Sequence, residues 1–423
     1  MLQTLRNAWK VTELRKKILY TLLMLIVYRL LCFIPVPGVD TTFAQQAVNT
    51  YGLLGFINSM TGSDLANYTI MAMGITPYIN ASIIMQLLTV AIPALEELNK
   101  QGTEGRKKIA QYSRYLTVAL GFLQALALTI GLRANASGGL LSLFVIGFCL
   151  AGGTAIAMWI GERITENGVG NGISLLIFSG IIANFAHAIS GTVYNMFVVP
   201  EMMFEAKSII TMVVVVLMSL LLIVGVIFVD RGERKIPVQY AKRMVGRKMY
   251  GGQSTHIPLK VNSSGVLPLI FASALMQFPG TILAFFPNSA ANQWWTANVS
   301  YTGVAYQIIF ALLILGFTFF YSAITFNPVE MSKQMQQNGG MIPGIRQGKP
   351  TAEFIAKISK RITLFGAIFL AILATIPTVM YGLFQINLPF QASSLLIAVS
   401  VALETSRQIE SQLLMRHYKG FIK

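Results

Sequence analysis

Charge is what this chain has least of. Only 11% of its 423 residues are Asp, Glu, Lys or Arg, where a soluble domain carries about 25%. Hydrophobic residues make up 54%, and the mean hydropathy is +0.63. So few charges cannot cover a water-facing surface, and the bilayer must solvate most of the chain. Cysteine is nearly absent as well. Cys32 and Cys149 both fall inside apolar runs, which excludes a disulfide framework. The three histidines, His187, His256 and His417, are scattered with no metal-ligand spacing, which excludes a metalloenzyme.

What is present is a series of long apolar runs. A membrane span needs about 20 mostly apolar residues. On that rule ten stretches qualify: 18–36, 70–94, 115–132, 139–160, 173–199, 208–229, 264–287, 304–326, 362–384 and 389–406. The first follows a basic segment, Arg6 to Lys17, as the core of a signal peptide would. It is long enough to span, however, and ends at Pro35-Val36-Pro37-Gly38 without a small-residue cleavage site, so it reads as a retained span. The expected fold is an all-α polytopic membrane protein with ten transmembrane helices.

An even number of spans puts both termini on one side. The N-terminus, the loops after spans 2, 4, 6 and 8, and the C-terminal tail hold 29 of the 32 Lys and Arg. The opposite loops hold Arg133 and Lys207, and Arg29 lies within span 1. The positive-inside rule assigns the basic set, and both termini, to the cytoplasm.

The connection between spans 1 and 2 is the exception among short outer loops. Its apolar part, Tyr51 to Met60, is too short to span and precedes a polar stretch to Asp64. Two arrangements fit: a re-entrant helix sheltered by the bundle, or a segment lying at the membrane surface.

Polar residues stand where lipid contact is expected. Span 2 carries Pro77, Asn80, Ser82 and Gln86 within ten residues. Asn80 and Gln86 must face other helices or water. Any one of them is explained by interhelical hydrogen bonding; the cluster points to a pore or gate. Span 7 has the same character, with Asn262, Ser263, Ser264, Pro268, Ser273, Gln277 and Pro279. Spans 2 and 7 are each second of five in their half. Interrupted spans at corresponding positions point to an inverted repeat with a functional axis between halves 1–200 and 201–423. Ionisable groups at depth are limited to Arg29 and Glu404. That weighs against an inverted-repeat secondary transporter for a small solute, which needs a buried charge relay, and suits a constriction that gates by excluding water. A third possibility, a non-conducting scaffold, explains basic loops but not the broken spans.

Two cytoplasmic loops, 230–261 and 327–361, are unusually long. The first holds Arg231, Arg234, Lys235, Lys242, Arg243, Arg247, Lys248 and Lys260 against Asp230 and Glu233; Val238 to Tyr240 has strand character. The second holds turn chemistry at Asn338-Gly339-Gly340 and from Pro343 through Arg346 and Lys349 to Pro350. Topology needs fewer charges than these. A polyanion or acidic partner is the alternative to anionic lipid head groups, and with few aromatics any nucleic-acid contact would be to phosphates.

Four stretches resemble one family in order along the chain: Gly74 to Leu88, Gly168 to Phe178, Gln253 to Asn262, and Pro343 to Arg346. The chain is identified by them as a member of the SecY family, the pore subunits of the bacterial Sec translocon. The resemblance implies two pseudo-symmetric five-helix halves around an hourglass pore, in the bacterial cytoplasmic (inner) membrane. It implies a waist ring at Ile79, Ile83, Ile177, Ile181, Ile270 and Ile397. It selects the re-entrant arrangement as a plug over 54–69, with Leu54, Phe56, Ile57, Asn58, Ser59, Met60 and Asp64. It implies a lateral gate of spans 2 and 3 against 7 and 8, with candidates Asn80, Gln86, Gln124, Gln277 and Phe278. It implies partner docking through Lys235, Arg243, Arg247, Lys248, Arg346 and Lys349. The expected partners are the small subunits SecE and SecG, the SecA ATPase, the ribosome, signal sequences and secretory polypeptides, and anionic lipids. The chain carries no nucleotide-binding motif and no large soluble domain. It is therefore expected to be no enzyme and to need no cofactor, its energy coming from a partner.

Overall fold

The computed structural model describes residues 8–42, 62, 64–131, 139–198, 206–240, 243–245, 248–250, 254–262, 267–283, 289–299, 303–384 and 392–420, with a few single positions between. Each predicted apolar run carries a helix. The elements are α1 (Thr12–Leu31), α2 (Thr76–Ala91), α3 (Pro93–Lys100), α4 (Thr103–Gly131), α5 (Leu140–Asn167), α6 (Gly172–Val198) and α7 (Ala206–Arg231). Then come β1 (Glu233–Tyr240), β2 (Arg243–Val245), β3 (Lys248–Tyr250), β4 (Ser254–Lys260), α8 (Leu267–Leu283), α9 (Ala290–Asn298) and α10 (Val304–Thr325). The chain ends with α11 (Pro328–Gln337), β5 (Gly340–Met341), α12 (Lys349–Phe384) and α13 (Ala392–Gly420). Among the described residues, four helical stretches are long and apolar enough to cross a membrane: 103–131, 140–167, 304–337 and 349–376. The bent pair α2–α3 makes a fifth if it counts as one span.

Span 2 departs from its expected bounds at both ends. Residues 70–75 are turns, and the helix starts only at Thr76, with Pro77 in its first turn. Proline fits there because the first helical N–H groups have no intrahelical acceptor. At the other end Ile92 is extended before Pro93, as a residue preceding proline prefers. The chain then turns through 99° into α3. The irregular stretch is sheltered by protein. Leu65, Tyr68, Met71 and Ala72 are fully buried, and Tyr68 Oη lies 2.9 Å from Thr129 Oγ1 on α4. A Cβ at Gly153 of α5 would run into the Ile70 carbonyl, so only glycine allows this approach.

Helix packing falls into two groups. In the first, α1 packs on α5 and α6, and α2 on α4 and α5. In the second, α8 packs on α10, α10 on α12, and α12 and α7 on α13. They meet along two seams: α2 and α4 against α8, and α6 against α13.

The two long loops, 230–261 and 327–361, form one unit outside the bundle. β1 pairs antiparallel with β4, from Glu233 opposite Lys260 to Gln239 opposite Ser254, and also with β5 at Gln239 and Tyr240. Ile236, Val238, Leu259, Met335, Ile342 and Ile355 form a core beneath the sheet. The expected loop 327–361 is mostly helical. Asn327 Oδ1 accepts from the Val329 and Glu330 amides, capping α11, and α12 already starts at Lys349, leaving only a short turn.

Candidate pore, gate and docking surface

The candidate waist begins with local geometry. Ile79 and Ile83 are four apart on α2, as are Ile177 and Ile181 on α6, so each pair shares a helix face. The start of α6 is fixed by Asn171, whose Oδ1 accepts from the Ile173 and Ser174 amides at 3.1 and 3.4 Å. The preceding turn is pinned to α1, because the Val169 amide donates to Thr21 Oγ1 at 3.0 Å. On α8 the Ile270 carbonyl accepts from Ser273 Oγ at 2.7 Å. All six isoleucines, Ile79, Ile83, Ile177, Ile181, Ile270 and Ile397, are at most 6% exposed and belong to one buried cluster. The helices that carry them, α2, α6, α8 and α13, all take part in the two seams.

The polar candidates divide. Asn80 on α2 and Gln124 on α4 are buried. Gln86 is half-buried, its Nε2 donating to Ser82 Oγ one turn back at 3.5 Å. Phe278 is half-buried on α8, and the Gln277 side chain lies outside the described residues. Of the plug candidates, Leu54, Phe56, Ile57, Asn58, Ser59 and Met60 lie outside the described residues. Asp64 is buried. Along the other seam, a cavity of about 230 Å³ is lined mainly by apolar side chains, among them Phe178, Ile181 and Phe185 on α6 and Leu395, Ala398 and Val399 on α13.

On the unit formed by the two long loops, Lys235, Arg346 and Lys349 are exposed. The turn bearing Arg346 is rigid. Ser332 Oγ donates to the Gly348 carbonyl at 2.7 Å, Thr351 Oγ1 to the Arg346 carbonyl at 2.7 Å, and Gln347 Nε2 to the Gly340 carbonyl at 3.0 Å. The Arg243 and Lys248 side chains, and Arg247 entirely, lie outside the described residues; the backbone of Arg243 and Lys248 is in the β2–β3 hairpin. An ion pair that sequence reasoning missed braces the base of the unit. Arg407 on α13 donates to Asp230 Oδ2 at 2.9 Å and to its carbonyl at 2.8 Å. Burial pushes the Asp230 carboxyl above the ordinary carboxylate range, although Arg407, Lys260 and Arg231 each pull it down. No local pattern announces a pair separated by 177 positions.

Known proteins share this fold and much of this sequence. The SecY family model matches residues 69–406. The protein translocase subunit SecY of Streptomyces coelicolor is 44% identical over 445 residues, covering all of both chains. That of Halalkalibacterium halodurans is 45% identical over 438 residues, again covering all of both. Among solved structures, a protein-conducting channel superposes with a TM-score of 0.65 at 20% identity, over 94% of this chain and 92% of the other. A structure concerned with the SecY plug domain as a stabiliser of the closed state gives 0.63 at 19% identity, with the same coverage. An idle yeast Ssh1 complex bound to the 80S ribosome gives 0.62 at 13% identity, over 93% and 89%. At these identities the structures establish a shared fold, and the full-length relatives establish kinship: this chain belongs to the SecY family.

Proposed function

We propose that this chain is the pore-forming subunit of a protein-conducting channel. It moves unfolded secretory polypeptides across the bacterial cytoplasmic (inner) membrane and releases apolar segments sideways into lipid. One observation carries the reading: the six buried isoleucines sit on the helices that meet across the two seams. A constriction made where two halves touch widens when they part. Stiff β-branched side chains suit a seal there, and a dewetted apolar ring blocks ions. Residues 1–200 form one half and 201–423 the other, with ten spans and both termini in the cytoplasm, as the distribution of Lys and Arg supports.

The gate is a two-state element. Closed, the ring is dry and the segment over 54–69 occupies the outer funnel. An apolar signal helix entering between α2 and α8, with a partner on the cytoplasmic sheet, stabilises the open state. That sheet, with Arg346 at its exposed turn, docks a SecA-type motor or the ribosome, which supplies the energy. SecE and SecG are the expected small subunits, and anionic head groups the expected lipid contact for the basic N-terminus. A small-solute transporter would need a compact charged site at the midplane. The relatives are named translocase subunits and the matched fold is that of a protein-conducting channel.

The test is crosslinking. A photo-crosslinker is placed at Ile83, Ile181 or Ile270 in reconstituted vesicles, and a secretory precursor is stalled in transit. Adducts at all three positions support a central protein-conducting pore. Their absence, with the motor bound and hydrolysing ATP, would return the scaffold and transporter readings to the front.

A further inference from the structure

Arg29 is the one Lys or Arg enclosed by the apolar runs. A guanidinium at membrane depth is costly unless protein groups satisfy it. It sits in the last turn of α1, where the carbonyl ends of a helix favour a cation. Its side chain reaches across to α6. Nε donates to Ser179 Oγ at 3.0 Å and Nη2 to the Ser179 carbonyl at 2.6 Å. Ser179 lies between the ring residues Ile177 and Ile181.

The same guanidinium abuts Gly62, in the segment that leads into α2. A Cβ at Gly62 would lie 2.6 Å from Nη2 and 2.7 Å from Nη1. Its φ of +83° is also one that side-chain-bearing residues rarely adopt. Two positions on, Asp64 is buried, with Arg29 and Cys32 close enough to act on its carboxylate. No carboxylate among the described residues comes within salt-bridge distance of Arg29. The cation is thus held by a hydroxyl, a helix carbonyl and closely packed backbone. Only a planar fork makes all these contacts at once; a lysine would supply a point charge. Water in an opened pore would replace these contacts.

We propose that Arg29 is a positioning residue of the gate. It ties the segment before α2 to the middle of α6, so that withdrawal of that segment and parting of the ring at Ile177 and Ile181 occur together. The proposal deepens the channel reading and rests on it.

The test uses the full chain in the complex in which it is isolated, reconstituted into vesicles. Ion leak is measured without precursor, and translocation is measured for precursors with weakened signal sequences. Arg29→Gln removes charge-assisted hydrogen bonds and should raise the open fraction roughly tenfold. Ser179→Ala keeps the cation and should raise it less. The double variant should leak no more than Arg29→Gln alone, since both remove one tie. Both single variants should pass weak signals more readily, which a loss of general stability does not produce. Ile270→Ser separates the two ideas. If it leaks while Arg29→Gln and Ser179→Ala stay tight, the tie is wrong and the pore stands. If it too stays tight, the pore reading falls and the tie with it. Additive leak in the double variant would overturn the tie as well. Should Arg29→Gln fail to accumulate, Ser179→Ala decides: raised leak sustains the proposal and unchanged leak overturns it.

Discussion

Truncating a ring residue is the perturbation whose size follows most directly from the geometry. Ile181 is buried at the proposed waist, on the helix that meets α13. Ile181→Ala deletes three carbons at about 0.8 kcal/mol each, roughly 2.4 kcal/mol of burial if all three are fully enclosed. They are not, because the 230 Å³ cavity borders this side chain. Part of its surface therefore lacks neighbours, and about 1.5 kcal/mol is the better figure. In the open state the side chain faces a hydrated pore and that burial is already lost. The deletion therefore acts on the closed state alone and shifts the closed-to-open ratio about tenfold.

The assay is ion leak from vesicles holding the resting complex, with Ile164→Ala as the comparison. Ile164 is fully buried near the α5–α6 turn, on a helix that forms neither seam. Its truncation costs about 2–5 kcal/mol of folded stability but leaves the open and closed states equally affected. The expected result is a leak raised about tenfold by Ile181→Ala and unchanged by Ile164→Ala, while the latter lowers the melting temperature. Equal leak from both would mean that leak reports general loosening and not a ring. No leak from Ile181→Ala, with protein present at wild-type amounts, would refute the waist.

Three other outcomes follow from the unit formed by the two long loops. Arg407→Ala leaves the buried Asp230 carboxylate without its ion pair; because Arg407 is about a third exposed, the loss should be about 1–2 kcal/mol, read as a lower melting temperature of the complex. The Asp230 pKa is raised in the folded state, so its contribution is full below the ordinary carboxylate range and falls as pH rises through the raised value. The melting temperature should drop across that interval, and Asp230→Asn should flatten the dependence. Arg346→Glu should weaken binding of a ribosome or motor more at low salt than at high salt, measured by co-sedimentation, with resting leak unaltered.

The helices were legible because an apolar run of span length has few alternatives, and Pro77 was a visible reason for span 2 to be irregular. The sharp turn into α3 was harder to read. Its helix is short and mixed in polarity, so the expected span runs on to residue 94 and no separate helix is expected after it. α11 was hidden in the same way, although Asn327-Pro328 followed by Glu330 is a capping signal. The joining of β1 to β5 was not legible at all. The strands lie about a hundred positions apart in the chain, and pairing at that separation leaves no periodic trace. Arg29 shows the same limit from the other side. The sequence revealed a charge where none belonged, but its acceptor, Ser179, is 150 positions away and is one serine among many.

The two seams differ in chemistry, and the difference assigns them different duties within the proposed channel. The helices of the α2, α4 and α8 seam carry buried Asn80 and Gln124. Polar groups held dry are stabilised by partners, but they recover hydrogen bonds as soon as water enters, so separation there costs less than its buried area suggests. Opposite, α6 and α13 bring mainly apolar groups together, such as Phe178, Phe185, Leu395 and Val399. Exposing these offers no compensation. A clamshell with one seam of each kind opens at the polar seam and bends at the apolar one. The cavity between α6 and α13 fits the second duty, since helices with space between them can rotate slightly without breaking contact. On this argument the proposed exit to lipid lies between α2 and α8, where Ile83 and Ile270 separate most, while Ile181 and Ile397 lie nearer the hinge and are uncovered to the pore by the same opening.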